Sequence, residues 1–221
     1  MKISFISLFS FSLFIAGIIG IIKFRKMDKT YYPFLFLIEI GCLNELLSYI
    51  LIQNHYHNLL NNNIYALFES ILILWFFKKL NVFKNSRVIF ISILSLFILS
   101  WILQMFQLKT LDDLYLYFRI LYSIIIVFLS IYTINSILIT ESKSIIRNPA
   151  FIICTGFVIY FTYYAIMNSF WLYGLTKSVE FTKFIIRILA YINLFCNLIY
   201  AIALIWIPRH RPSILLSSLP A

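Results

Sequence analysis

Charge is what this chain lacks. Only 12% of its 221 residues are charged, against roughly 25% in a soluble domain, and acidic residues are the scarcer kind, with 8 Asp and Glu beside 18 Lys and Arg. With 62% apolar residues and a mean hydropathy of +0.95, no soluble core would hide so much apolar surface. Cysteine is nearly absent too: Cys42, Cys154 and Cys196 are odd in number and all fall in apolar runs, so they read as small packing residues and not as a disulfide framework. Histidine is confined to His55, His57 and His210, outside the apolar runs, which removes the ligands that a membrane-embedded metal hydrolase needs at depth. No lysine lies in the middle of the last run, so a retinal Schiff base has no amine. Serines such as Ser92, Ser95 and Ser100 have no His or Asp beside them within the apolar runs, so a nucleophilic triad has no base. The chain calls for no cofactor.

What is present is a ladder of seven apolar runs, at 4–22, 33–53, 64–80, 88–107, 114–138, 149–168 and 182–207. Each approaches or exceeds the roughly 20 residues that cross a bilayer as a helix, and only closed helices satisfy their backbone groups in lipid. The expected fold is a single all-α domain over residues 1–221, a seven-transmembrane helix bundle, with links too short for a separate catalytic or nucleic-acid-binding fold. The links 23–32, 78–87 and 139–148 and the tail carry Lys23, Arg25, Lys26, Lys29, Lys78, Lys79, Lys84, Arg87, Lys143, Arg147, Arg209 and Arg211, while the other side carries Lys2, Lys109, Lys177 and Lys183. Twelve against four places the N-terminus outside and the C-terminus in the cytoplasm of a bacterial inner membrane. The net charge of +10 is thereby accounted for by topology and contact with anionic lipid, not by nucleic acid.

Residues 1–22 superficially resemble a secretory signal, but the run is long enough to span and Lys23, Arg25 and Lys26 directly after it would resist translocation. Aromatic residues support the spans independently. Tyr31, Tyr32, Trp75 and Trp206 fall at inner ends and Trp101, Trp171 and Tyr173 near outer ones, as an interfacial belt requires. Pro33 and Pro149 fall in first helical turns, where a missing N–H costs nothing.

Five ionisable residues lie inside the spans, each costing at least about 2.5–3.5 kcal/mol on insertion scales: Glu39, Glu45, Glu69, Arg119 and Arg187. From the expected outer ends, Glu45 lies about 12 Å deep and Glu69, Arg119 and Arg187 about 8 Å deep at 1.5 Å per residue. Four charges at one depth on four helices cancel if they face inward, which predicts a polar pocket in the outer half, with Tyr65, Tyr49 and Tyr122 sharing its walls, or else ion pairs and lipid-headgroup contacts that clip the helices together. Glu39 lies about ten Å from the inner end. With the stripe Asn193, Asn197 and Tyr200 it would form a polar seam, serving as a relay or proton path, or simply as interhelical glue.

Asn63, Tyr65, Phe68 and Glu69 at the start of the third span, Arg147, Asn148 and Pro149 opening the sixth, then Gly156, Tyr160 and Phe161, and the stripe Asn193, Asn197, Tyr200 and Ala201 together resemble uncharacterised small seven-transmembrane proteins of Bacteroidota. The resemblance covers nearly the whole chain. Those proteins are similar in layout to the seven-span input regions of sensor histidine kinases, which implies signalling through a partner such as a kinase, since this chain ends soon after its last span. The leading expectation is a non-enzymatic membrane receptor or sensor component. Other readings are a small proton-coupled transporter titrating Glu39, Glu45 and Glu69, a structural subunit of a larger membrane complex, and an embedded lipid enzyme with a glutamate base.

Overall fold

The computed structural model describes residues 9, 11–84, 86–108, 113–140, 145–174 and 178–208. The opening of the first expected span and Lys2, Lys109, Lys143, Lys177, Arg209, His210 and Arg211 lie outside the described residues. Among those described there are seven α-helices and no strand: α1 Leu13–Lys23, α2 Tyr32–Gln53, α3 Leu59–Lys79, α4 Arg87–Leu108, α5 Leu116–Thr140, α6 Pro149–Leu172 and α7 Val179–Trp206. The six from α2 onward are long and apolar enough to cross a membrane.

The helix ends follow from local chemistry. Asn148 caps α6, its side-chain oxygen accepting from Ala150 N at 2.8 Å and Phe151 N at 3.2 Å, with Pro149 beginning the helix. Asp28 accepts from Thr30 N at 2.8 Å and opens the 3-10 turn that leads into α2. At the opposite ends, α2 and α3 close with His55 and Asn81 at positive φ of 60° and 61°. Their backbone N–H groups reach back to Ile52 O and Lys78 O, and the next residues, Tyr56 and Val82, to Leu51 O and Phe77 O, which satisfies carbonyls that would otherwise be orphaned.

One boundary differs from expectation. Helix α3 begins at Leu59, five residues before the expected start at 64, so the polar run Asn61–Asn63 is the first helical turn and not a link. The asparagines are accommodated by other helices: Asn61 Nδ2 donates to Asn44 Oδ1 at 2.9 Å and Ser48 Oγ at 3.1 Å on α2.

The helices form a closed ring in which α1 packs on α2, α2 on α3, α3 on α5, α5 on α6, α6 on α7 and α7 back on α1, while α4 lies outside, against α3 and α5. One end of this ring is basic. Lys23 Nζ donates to Leu204 O at 3.1 Å and also to Ile205 O, and Asp28 N donates to Pro208 O at 3.2 Å, tying the α1–α2 link to the last turn of α7. Lys78 Nζ sits 4.3 Å from the centre of the Phe90 ring, joining the α3 and α4 ends there. Thus the links rich in Lys and Arg meet at one face, as the alternation in the sequence requires. The outward surface is apolar, with Ile18, Leu43, Ile50, Leu99 and Phe128 all exposed; in lipid such a surface carries no penalty, whereas in water it would drive aggregation.

The core toward the basic end is aromatic. Phe34 of α2, Phe157 of α6 and Tyr200 of α7 pack with ring centres 5.5–6.2 Å apart, and Phe76 of α3 joins Phe157 at 6.1 Å. Pairs in such geometry contribute about 0.5–1.5 kcal/mol each beyond burial. Gly156 makes this fit possible: a Cβ there would lie 2.5 Å from Tyr200 Cε1. Cys42, Cys154 and Cys196 are buried and free, filling gaps between helices.

Candidate functional site

The site begins on one face of α3. Tyr65 and Glu69 are four residues apart and therefore neighbours on the helix surface; Tyr65 Oη donates to Glu69 Oε1 at 3.2 Å. From α5, Tyr122 Oη donates to Glu69 Oε2 at 2.7 Å. Both carboxylate oxygens of a buried Glu69 thus accept a hydroxyl, the arrangement that a charged acceptor in a poorly solvated interior requires.

Among the described residues Arg119 forms no hydrogen bond or ion pair with Glu69; it engages α3 nearer its N-terminal end. Its Nη2 donates to Asn62 O at 2.9 Å and Asn63 Oδ1 at 3.3 Å, and its Nη1 to Tyr164 Oη of α6. Asn62 precedes Glu69 by seven residues, about ten Å along the helix. The single charged layer expected from sequence is therefore two layers, because α3 starts earlier than expected and Glu69 sits correspondingly deeper. Asn63 completes the upper layer: fully buried, it donates to Asp113 O at 2.7 Å, accepts from Tyr115 N at 3.3 Å, and its carbonyl accepts from Trp101 Nε1 at 3.0 Å. Gln104 Oε1 accepts from Phe118 N at 2.9 Å. The first turn of α5 is thereby capped by side chains of α3 and α4.

On the other side of Glu69 a cavity of about 90 Å³ opens between α1, α2, α3, α6 and α7. Glu45 and Glu69 supply its charge and Tyr65 and Tyr160 part of its aromatic wall. Asn193, Asn197 and Tyr200 line it from α7. Along α2 the lining runs from Leu37 to Glu45, astride the middle of that helix, so the cavity is central and not confined to the outer half. The α7 stripe, expected in a separate inner seam, belongs to this same cavity.

Of the remaining expected residues, Arg187 is exposed on α7 and does not line the cavity. Glu39 also stands apart from it: a half-buried residue against Gly17 and Gly20 of α1, whose Oε1 is buried without a hydrogen-bond partner. At about 100° per residue, six residues turn a helix face by about 120°, and Glu39 is six residues from Glu45 as Arg187 is from Asn193. That rotation separates both from the cavity. Tyr49 packs on Phe11, ring centres 5.9 Å apart, away from the lining.

Three members of the site went unassigned by sequence reasoning. Tyr160 and Tyr164 of α6 stack at 5.6 Å, one lining the cavity and the other holding Arg119; their i, i+4 spacing on a span with few other polar residues was the available signal. Ser12 of the α1 entry accepts from Asn197 Nδ2 at 2.9 Å, a contact no local pattern announces.

Fold and site together define, among the described residues, an all-helical protein with six helices long and apolar enough to cross a membrane and a polar cavity at the centre of a helix ring. Compared with protein-family models, with curated proteins and with solved structures, the chain matches none.

Proposed function

We propose that this chain is a receptor-type, non-enzymatic component of a bacterial inner membrane, holding a small polar ligand in its central cavity. The observation that carries the reading is that one cavity is walled by five helices, α1, α2, α3, α6 and α7. A ligand that fits one arrangement of those helices better than another shifts the population between them, and a ligand that fits both equally shifts nothing. The closed ring carries such a shift to the basic end through α7, whose last turn is tied to Lys23 and Asp28. We place that end in the cytoplasm, with the N-terminus outside, because basic links resist translocation. A histidine kinase or another membrane protein would read the change there.

Hydrogen–deuterium exchange on the purified protein in lipid nanodiscs tests the binding step. Panels of amines, carboxylates and neutral polyols are added in turn. The expected result is saturable protection at the segments around Glu45, Tyr65 and Asn193 by at least one class, abolished when Gly156→Leu drives Tyr200 into the cavity. Protection by no class overturns the reading. Saturable flux of the same compound into vesicles would replace it with a carrier. Labelling of single cysteines at positions 29 and 57 from either side of sealed vesicles tests the orientation.

A further inference from the structure

The lining of the cavity specifies more than polarity. Among the described residues it contains two carboxylates, Glu45 and Glu69, and no Lys, Arg or His. Arg119 stands outside the lining, already engaged by Asn62, Asn63 and Tyr164. Around the two acids are aromatic rings: Tyr65, Tyr160 and Tyr200, with Phe157 and Phe161. Carboxylates and aromatic faces in one small enclosure are the two groups that attract an ammonium ion, by charge and by the ring quadrupole.

A second observation points to an occupant. Tyr200 is 7% exposed and Asn197 5%, yet the Tyr200 hydroxyl has no hydrogen-bond partner among the described residues, and Asn197 uses only its Nδ2, on Ser12. Tyr160 Oη and the Asn193 amide, both on the cavity wall, are likewise without a partner among the described residues. Buried polar groups are normally bonded; Tyr200 and Asn197 are buried and Tyr160 and Asn193 half-buried, so the four hold unused hydrogen-bonding capacity for whatever fills the space. All four offer an acceptor oxygen in addition to the carboxylates, which suits a ligand rich in N–H donors. A volume of about 90 Å³ admits roughly three waters at ~30 Å³ each, or a cation of a few heavy atoms.

We propose that the central cavity binds a small organic ammonium ion, its charge balanced by Glu45 and Glu69 and its body enclosed by the rings of Tyr160, Tyr200 and Phe157. The proposal rests on the receptor reading for the existence of a ligand and adds its chemical class. Ethylammonium, ethanol, acetate, sodium and potassium at matched ionic strength are the probes, with calorimetric titration of the purified protein in nanodiscs as the measurement. Ethylammonium binds saturably, at least about tenfold more tightly than ethanol, a ratio equivalent to one 1.4 kcal/mol step, and acetate does not bind. Glu45→Gln weakens ethylammonium about tenfold. Because loss of binding also follows from misfolding, Asn193→Asp supplies the opposite sign: a third carboxylate on the wall tightens ethylammonium while leaving ethanol unchanged.

Equal binding of ethanol and ethylammonium overturns the ammonium assignment and leaves the receptor reading standing. Binding of sodium or potassium in place of ethylammonium overturns it in favour of an inorganic cation. Acetate as the sole ligand, or no effect of Glu45→Gln and Asn193→Asp on ethylammonium, also overturns it. Absence of binding by all five probes overturns the assignment, and the wider exchange panel then decides separately whether the cavity binds anything.

Discussion

The two sides of Glu69 are built from the same residue types and differ in whether those residues are already bonded. Toward α5, Asn63, Tyr122, Arg119 and Tyr164 close on one another and on Glu69, with two atoms of that region, Arg119 Nε and Tyr115 Oη, left buried without a partner. Toward α7, Tyr160, Tyr200 and Asn193 surround open space and bond to no described residue. A saturated polar network holds helices in one arrangement, whereas an unsaturated one has hydrogen-bonding capacity to offer a ligand. The first region is therefore read as the clasp that fixes α3, α4, α5 and α6, and the second as the place where something binds.

If that division is right, the same chemical change has unequal effects on the two sides. The largest falls on Asn63, whose side chain and carbonyl serve Asp113, Tyr115, Arg119 and Trp101 together. Asn63→Ala leaves Tyr115 N and the Asp113 carbonyl without that partner and loosens the cap on α5, and unsatisfied buried groups cost about 1–3 kcal/mol each. Chemical unfolding in mixed micelles should show a loss of about 3 kcal/mol; a loss below about 1 kcal/mol, the usual worth of a single interhelical hydrogen bond, means the clasp is not one. Tyr122→Phe is next. It removes the hydroxyl at 2.7 Å from Glu69 Oε2 and leaves a buried carboxylate oxygen short of a donor, an expected loss of about 2 kcal/mol by the same assay.

The ladder of spans was legible because hydrocarbon thickness dictates helix length, and the basic alternation was legible because it is a property of the links alone. Three things were not. The start of α3 was hidden by Asn61–Asn63, which look like a link because their partners, Asn44, Ser48 and Asp113, are remote in sequence. The grouping of charges by depth ignored rotation, so Glu39 and Arg187, each about 120° from a cavity residue on its own helix, were given to a layer or seam they do not share. The closure of the ring by α1 against α7 depends on the most distant contacts in the chain, such as Ser12 with Asn197, and no local pattern contains it. Glu69 and Tyr65 were recoverable because burial of a charge forces partners within reach and a hydroxyl one turn away is the nearest, and Tyr122 because it lies one turn from Arg119, although its hydroxyl bonds Glu69 on another helix.

In the aromatic core toward the basic end lies Gly156, where Tyr200 approaches so closely that a Cβ would sit 2.5 Å from its ring. Gly156→Ala pushes that ring toward the cavity and overpacks the aromatic core, at an expected cost of about 1–2 kcal/mol. Xenon or small-probe occupancy measured on the same variant distinguishes the two consequences. If stability falls and the cavity keeps its volume, the ring has moved elsewhere and Tyr200 is not a movable wall.

The smallest expected effect is the sharpest test of the comparison. Tyr200→Phe removes one oxygen from a residue nearly as buried as Tyr122, 7% against 0% exposed, and by burial alone the two substitutions would cost much the same. The Tyr200 hydroxyl, however, faces the cavity and has no partner among the described residues, so its loss strands no protein group. The ring contacts with Phe34 at 5.5 Å and Phe157 at 5.8 Å survive the change. Stability should move by less than about 0.5 kcal/mol, as for substitutions that break no buried partner, in the ligand-free protein. A loss matching that of Tyr122→Phe would mean that ordered water or an unseen contact already saturates this wall, and the distinction between a clasp and a binding surface would then collapse into one continuous structural network.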